Sequence, residues 1–204
     1  MIKLYRHALS GHAHRVELFL SLLGLEHDLV DVDLMAGAHK DAEFLKMHPF
    51  GQVPVLDDNG VVLWDSNGIL VYLARTYGGE AWSLGSAQNE AAIQGWLSIA
   101  AGPIASGPAS ARLVTVFGAN LDHDVAKARA TALFETMNKI LDDQGYLVGE
   151  KVSIADVAAY TYIAHAPEGG VSLQNYPNIQ IWISKIEALP NFVGMQKTPL
   201  SDVA

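Results

Sequence analysis

Asp65 and Ser66 stand where the hydrophobic period of this chain changes from two to about 3.6, and that placement gives them chemistry. A helix beginning there offers free backbone N–H groups and the positive end of its dipole, which together favour a carboxylate. The acidic side chain beside them favours an ammonium group instead. A ligand with an amino acid end, carrying ammonium and carboxylate on one carbon, satisfies both. The same two residues also fit an ordinary helix cap, and the two roles are compatible.

The elements that position this pair are legible around it. In residues 49–77, PFGQVPVLDDNGVVLWDSNGILVYLARTY, a strand is expected over Val53–Leu56, opened by Pro54, which gives up no ladder hydrogen bond at a strand start. Asp57-Asp58-Asn59-Gly60 supplies a hairpin turn, Val61–Trp64 returns, and Ile69, Leu70, Leu73 and Tyr77 mark a helix ended by Gly78-Gly79. Upstream, Ile2–His7 reads as a strand, Ser10-Gly11 as a turn, and Val16, Leu18, Phe19, Leu22 and Leu23 as the buried stripe of a helix closed by Gly24. His27–Asp33 alternates like a strand.

These residues resemble the glutathione transferases, in particular the Ser-type, theta/phi-like bacterial members. The resemblance is specific over residues 1–80 and returns at 149–165, where Ser153-Ile-Ala-Asp156 matches a capping box of the family's helical domain. It implies an α+β, thioredoxin-like first domain (βαβαββα) over residues 1–78 and an all-helical domain over 86–204 that contributes the electrophile pocket. By match of motif, Gln52, Val53 and a cis Pro54 form the strand contact to glutathione. Asp65 and Ser66 hold its γ-glutamyl end, and His39 and Lys40 reach its glycine carboxylate.

The implied reaction is attack of the glutathione thiolate on a small electrophile, with a role in detoxification, glutathione as co-substrate, no cofactor, and a homodimeric assembly. Three residues compete as thiolate donor. Ser10 lies just before the first helix, six residues ahead of Val16, as in Ser-type members; Tyr5 lies near the end of the first strand, as in Tyr-type members; His12 could donate if protonated. Two alternatives share the fold: a glutathione-dependent isomerase or dehalogenase, and a non-catalytic interaction module. The chain lacks the Ser-Ser-Cys run of maleylacetoacetate isomerases, and it keeps the thiol-site residues that modules usually lose.

Composition sets the outer bounds. A chain of 204 residues, 50% hydrophobic, buries about 70% of its unfolded surface and needs no staples. With no cysteine it has no disulfide, thiolate metal site or cysteine nucleophile. Thirteen basic against 22 acidic residues, net −9, without a basic cluster interleaved with aromatics, argues against nucleic acid. Neither a leader peptide nor an apolar run long enough for a membrane helix is evident, so a cytoplasmic location and no membrane partner are expected. Eight histidines, with His12-x-His14 close to His7, show no ligand spacing, and no metal is expected.

The second half reads as helices around Ala87–Ala100, Val125–Leu141, Ile154–His165 and Ile179–Leu189. Gly102-Pro103 and Gly107-Pro108 fall where the family has a long helix, and each proline is expected to end or kink it. Trp64, Tyr72, Trp82 and Trp96 are expected in the core, and Asp122, Asp124, Asp142 and Asp143 at solvated helix ends.

Overall fold

β1 (Ile2–Arg6) pairs in parallel with β2 (His27–Asp31) and antiparallel with β3 (Val55–Asp58), which pairs antiparallel with β4 (Val61–Trp64), giving the order β2-β1-β3-β4. The computed structural model describes residues 1–199 of the chain. α1 (Gly11–Leu22) connects β1 to β2, α2 (Ala42–Met47) precedes β3, and α3 (Ser66–Tyr77) follows β4. α1 packs on α3 and on β1, so the fully buried Leu4, Val16, Phe19, Leu56, Ile69, Leu70 and Leu73 form the main core. Phe44 of α2 closes a smaller cluster with Val32 and Val55, against which Tyr5 and Val53 pack.

β3 starts two residues later than the proline-led strand expected from sequence. Pro54 has no N–H to donate, and pairing begins at Val55 opposite Trp64. The turn shrinks accordingly. Asp57 and Asp58 pair with Val62 and Val61, leaving Asn59-Gly60 as a two-residue loop with φ of 51° and 95°, the doubly positive arrangement that Asn-Gly favours. An aspartate is tolerated inside this strand because Asp58 accepts from the hydroxyls of Tyr72 (2.8 Å) and Tyr77 (2.6 Å) and from the Asn59 amide (2.8 Å). Burial opposes its charge, but the tyrosine and asparagine donors outweigh it and hold the carboxyl below its usual range.

The described residues divide into two units, Met1–Ser83 with Pro190–Gln196, and Leu84–Leu189 with residues 197–199. A single boundary between residues 78 and 86 therefore misses a returning segment. Two hydrogen bonds hold it to α1: His14 Nε2 with the Val193 carbonyl (3.0 Å) and Ser21 Oγ donating to that of Asn191 (2.7 Å). Residues after Gly78 also belong to the first unit, where Trp82 meets the Phe19 ring edge-on at 4.8 Å. Trp64 is not a core residue: it is 43% exposed, on the edge strand.

In the second unit, α4 (Ala87–Ile99) continues without a break through a π-helical segment (Ala100–Ala109) into α5 (Ser110–Phe117). The helix does not end at the prolines; it changes register there. In α register, Pro103 and Pro108 would crowd the carbonyls four residues back and leave them without donors. The wider register moves each bond five residues back, and the prolines are themselves five apart. Ser110 closes the segment, its amide and its hydroxyl (2.8 Å) both donating to the Ala105 carbonyl. Gly107 lets α6 (His123–Asp143) come close: a Cβ there would lie 3.0 Å from the Ala130 nitrogen.

α7 (Ile154–Ala164) is buried along its length, and α8 (Pro177–Glu187) packs beside it. The capping box is formed as expected, and it does more than cap. Asp156, fully buried, accepts from the Ser153 amide (2.8 Å) and hydroxyl (3.1 Å), the Leu147 amide (2.9 Å) and the Trp182 indole (2.9 Å). One carboxylate thus ties the start of α7 to the preceding loop and to α8.

Candidate active site

Ser10 is the N-cap of α1, with extended backbone angles (φ −85°, ψ 113°) and Oγ accepting from the Ala13 amide at 3.3 Å. Its own amide donates to the His7 carbonyl (2.9 Å), which fixes the turn from β1 into the helix. A capping hydroxyl accepts with one lone pair and keeps its proton to donate. Ser10 therefore presents an O–H at the positive end of α1.

The other two candidate donors are differently placed. Tyr5 lies within β1, its ring edge-on to Phe44 at 6.4 Å in the smaller core cluster. His12 sits half-buried in the first turn of α1, where burial first and the Arg15 guanidinium second push its pKa down to about 3. It is a neutral imidazole at neutral pH.

The loop before β3 is shaped by Lys40. A short 3-10 turn, Ala38–Lys40, brings its ammonium to the carbonyls of Phe50 (3.0 Å) and Gly51 (2.9 Å). Gly51 has φ 58°, and a Cβ there would fall 2.5 Å from the His39 carbonyl, so only glycine fits. Clamped in this way, the loop carries exposed Gln52 and half-buried Val53 into a cis Val53–Pro54 peptide, outside the β3 ladder. His39 and Lys40 thus lie against this loop, with Lys40 exposed and holding its backbone.

Asp65 caps α3 through Oδ1, which accepts from the amides of Asn67 and Gly68, both at 3.0 Å. Its φ of 66° with ψ of 118° is unusual for a non-glycine residue and is the kind of local strain that collects at functional sites. The carboxylate is exposed, whereas Ser66 is 4% exposed. Arg15, from α1 and almost fully buried, donates through Nη1 to Ser66 Oγ (3.2 Å) and Asn67 Oδ1 (2.7 Å). The first turn of α3 is in this way fastened to α1.

The motif match singles out none of Arg15, Asn67 and His48. The signal for Arg15 is a cation one residue before Val16 on the apolar stripe of α1, where only a paired guanidinium is tolerated. His48 gives no such signal. It is buried against Trp64, ring centroids 5.0 Å apart, and accepts the Phe50 N–H at Nδ1 (3.3 Å). Burial lowers its pKa most; of the charges facing it, Asp65 raises it and Lys40 lowers it.

A four-stranded sheet with a cis-proline loop, a capped α1 next to β1 and an acidic cap at α3 defines a thioredoxin-like domain, joined in one chain to a helical unit. The models for the glutathione S-transferase N-terminal and C-terminal domains match residues 1–75 and 118–190. Glutathione S-transferase 3 of Zea mays is 34% identical over 97% of this chain and 92% of its own. A glutathione S-transferase from Pseudomonas fluorescens Pf-5 superposes with a TM-score of 0.90 at 31% identity, covering 96% of this chain and 99% of that one. A glutathione S-transferase-I solved with lactoylglutathione bound gives a TM-score of 0.80 at 25% identity, covering 93% and 95%. The chain belongs to the glutathione S-transferase family and is a transferase enzyme of it.

Proposed function

We propose that this transferase joins glutathione to a small electrophile, with Ser10 as the hydrogen-bond donor to the thiolate. The observation that carries the reading is the capping geometry of Ser10, whose Oγ accepts from Ala13 while its proton stays available at the start of α1. Glutathione lies with its γ-glutamyl ammonium toward Asp65, its γ-glutamyl carboxylate toward Ser66, and its cysteine backbone along Val53. Its glycine carboxylate faces the Lys40 ammonium, which has a third N–H beyond the two carbonyls it already serves. A family relative solved with lactoylglutathione bound supports glutathione as the ligand.

The chemistry needs the thiol ionised. A free thiol titrates near 8.5, and lowering it by two units takes about 2.7 kcal/mol of differential stabilisation. A hydroxyl donating to a charged sulfur contributes about 1.5–3 kcal/mol. The helix end adds about 0.3–1 kcal/mol, so the two together suffice. The sulfur lone pair then forms a bond to the electrophilic carbon. The electron pair displaced from that carbon leaves with a leaving group or, in an addition, takes up a proton.

The same reading includes a homodimer and a cytoplasmic location, the compartment that holds a glutathione pool. In support of the dimer, Phe50 (65% exposed), Val61, Val62 and Trp64 leave an apolar surface on the edge strand and the loop beside it, a placement single-chain proteins avoid. The test is titration calorimetry with glutathione followed by turnover on a panel of aryl halides, epoxides and enones. Binding with turnover on at least one is expected. Absence of glutathione binding would overturn the reading, and binding without any turnover would favour a non-catalytic module.

A further inference from the structure

Arg15 is a guanidinium held almost wholly out of water, and nothing in the thiol chemistry above calls for it there. A buried cation is costly unless its partners are well placed, and two partners of this one, Ser66 and Asn67, lie in the first turn of α3. A hydroxyl has one proton and two lone pairs. With Arg15 Nη1 donating into Ser66 Oγ at 3.2 Å, that oxygen is an acceptor toward α1, and its proton must be directed elsewhere. A hydroxyl so constrained is a ready donor to an anion. The 2.7 Å bond to Asn67 Oδ1 fixes the guanidinium in the orientation that makes this possible. The amides of Asn67 and Gly68 are already occupied by Asp65, so the Ser66 hydroxyl is a side-chain donor that this turn can offer an incoming carboxylate.

We propose that Arg15 is a positioning residue for glutathione: it sets the Ser66 hydroxyl as a donor to the γ-glutamyl carboxylate and keeps α1 and the first turn of α3 in register. This rests on the glutathione reading above. The plainer role, a guanidinium that only braces two helices, makes a different prediction about coupling. If Arg15 acts through Ser66, removing either group removes the same interaction.

The experiment is a double-mutant cycle read by calorimetric glutathione affinity, using the parent, Ser66→Ala, Arg15→Met and the double variant, with thermal melts and circular dichroism on each. Each single variant should bind about tenfold more weakly, and the double no more than about twofold more weakly than the poorer single, since coupled residues are non-additive. Arg15→Lys should not restore affinity, because an ammonium lacks the planar fork that reaches both acceptors. Independent, multiplying losses, or full recovery with lysine, would overturn the proposal. Should Arg15→Met fail to fold, Asn67→Ala, which releases one arm of the guanidinium, replaces it in the cycle, and additivity with Ser66→Ala would overturn the proposal equally. Failure of the parent to bind glutathione instead removes the reading on which it rests, so the two failures are distinct.

Discussion

Ser10 and Asp65 each cap a helix, and the proposed function gives each a second role that substitutions can separate from the first. Ser10 caps α1 and, in the proposed reaction, donates to sulfur. Ser10→Ala should raise the apparent pKa of the bound thiol by about one to two units, followed through thiolate absorbance, at a cap cost of about 1 kcal/mol in stability. An unchanged thiol pKa would remove Ser10 from the chemistry and leave it a cap. Asp65 is the sharper case, because its φ of 66° suits asparagine nearly as well as aspartate. Asp65→Asn keeps an oxygen to cap Asn67 and Gly68 but removes the charge. Stability should therefore hold within about 0.5 kcal/mol. Glutathione affinity should fall about three- to tenfold, the modest size following from the exposure of this carboxylate. Affinity equal to the parent's would show that Asp65 has only its structural role.

Elements differ in how far the sequence reveals them, and the reason lies in what each one depends on. The hairpin and three caps rest on local chemistry: Asn-Gly at the turn, Ser10 and Asp65 at helix starts, Ser153 with Asp156 at α7. All of these are visible in a string of residues, as were the sheet strands and most helices. The reach of Asp156 to Leu147 and Trp182, the clamp of Lys40 on Phe50 and Gly51, and the Arg15 bridge depend on residues 9 to 52 positions away, which no local pattern fixes. The Gly-Pro pairs misled for a related reason. Proline forbids the α register, and the wider register that accommodates it needs support from neighbouring helices.

That segment yields a contrast. A Cβ at Gly102 meets nothing within 4 Å, whereas one at Gly107 presses on the α6 backbone. Gly102→Ala should be neutral or stabilising by up to about 1 kcal/mol, and Gly107→Ala should cost about 1–3 kcal/mol, measured by urea unfolding. Equal effects would mean that α6 does not rest on Gly107. In the same assay Asp156→Ala, which strands four donors, should cost about 2–4 kcal/mol, more than a cap alone.

At the scale of the molecule, stability should be lost to acid in two stages, because the fold holds some groups neutral and others ionised. His12, His48 and His165 all have pKa values below the ordinary imidazole range, with burial the leading cause in each. An unfolded chain binds protons at these positions as pH drops below about 6.5, and the folded chain does not, so their contribution starts to fade there. The second stage belongs to carboxyls the fold keeps ionised: Asp58 in β3 and Glu168 in the helical unit. Burial opposes the charge of Glu168, but the Thr198 hydroxyl, the His165 ring and the Arg112 guanidinium, each at 2.6 Å, together hold its pKa at about 2. A carboxyl depressed in the fold stabilises it above the unfolded value of about 4.3 and loses that contribution as pH falls toward 2. Glu168→Gln should therefore lower the melting temperature at pH 7 and flatten its dependence on pH between about 4.5 and 2, while leaving the decline that begins near 6.5. Urea midpoints measured across pH 8 to 2.5, an assay range chosen to span about both transitions, would decide it. A variant whose low-pH slope matches the parent's would show that the Arg112–Glu168–His165–Thr198 cluster does not contribute to the second stage.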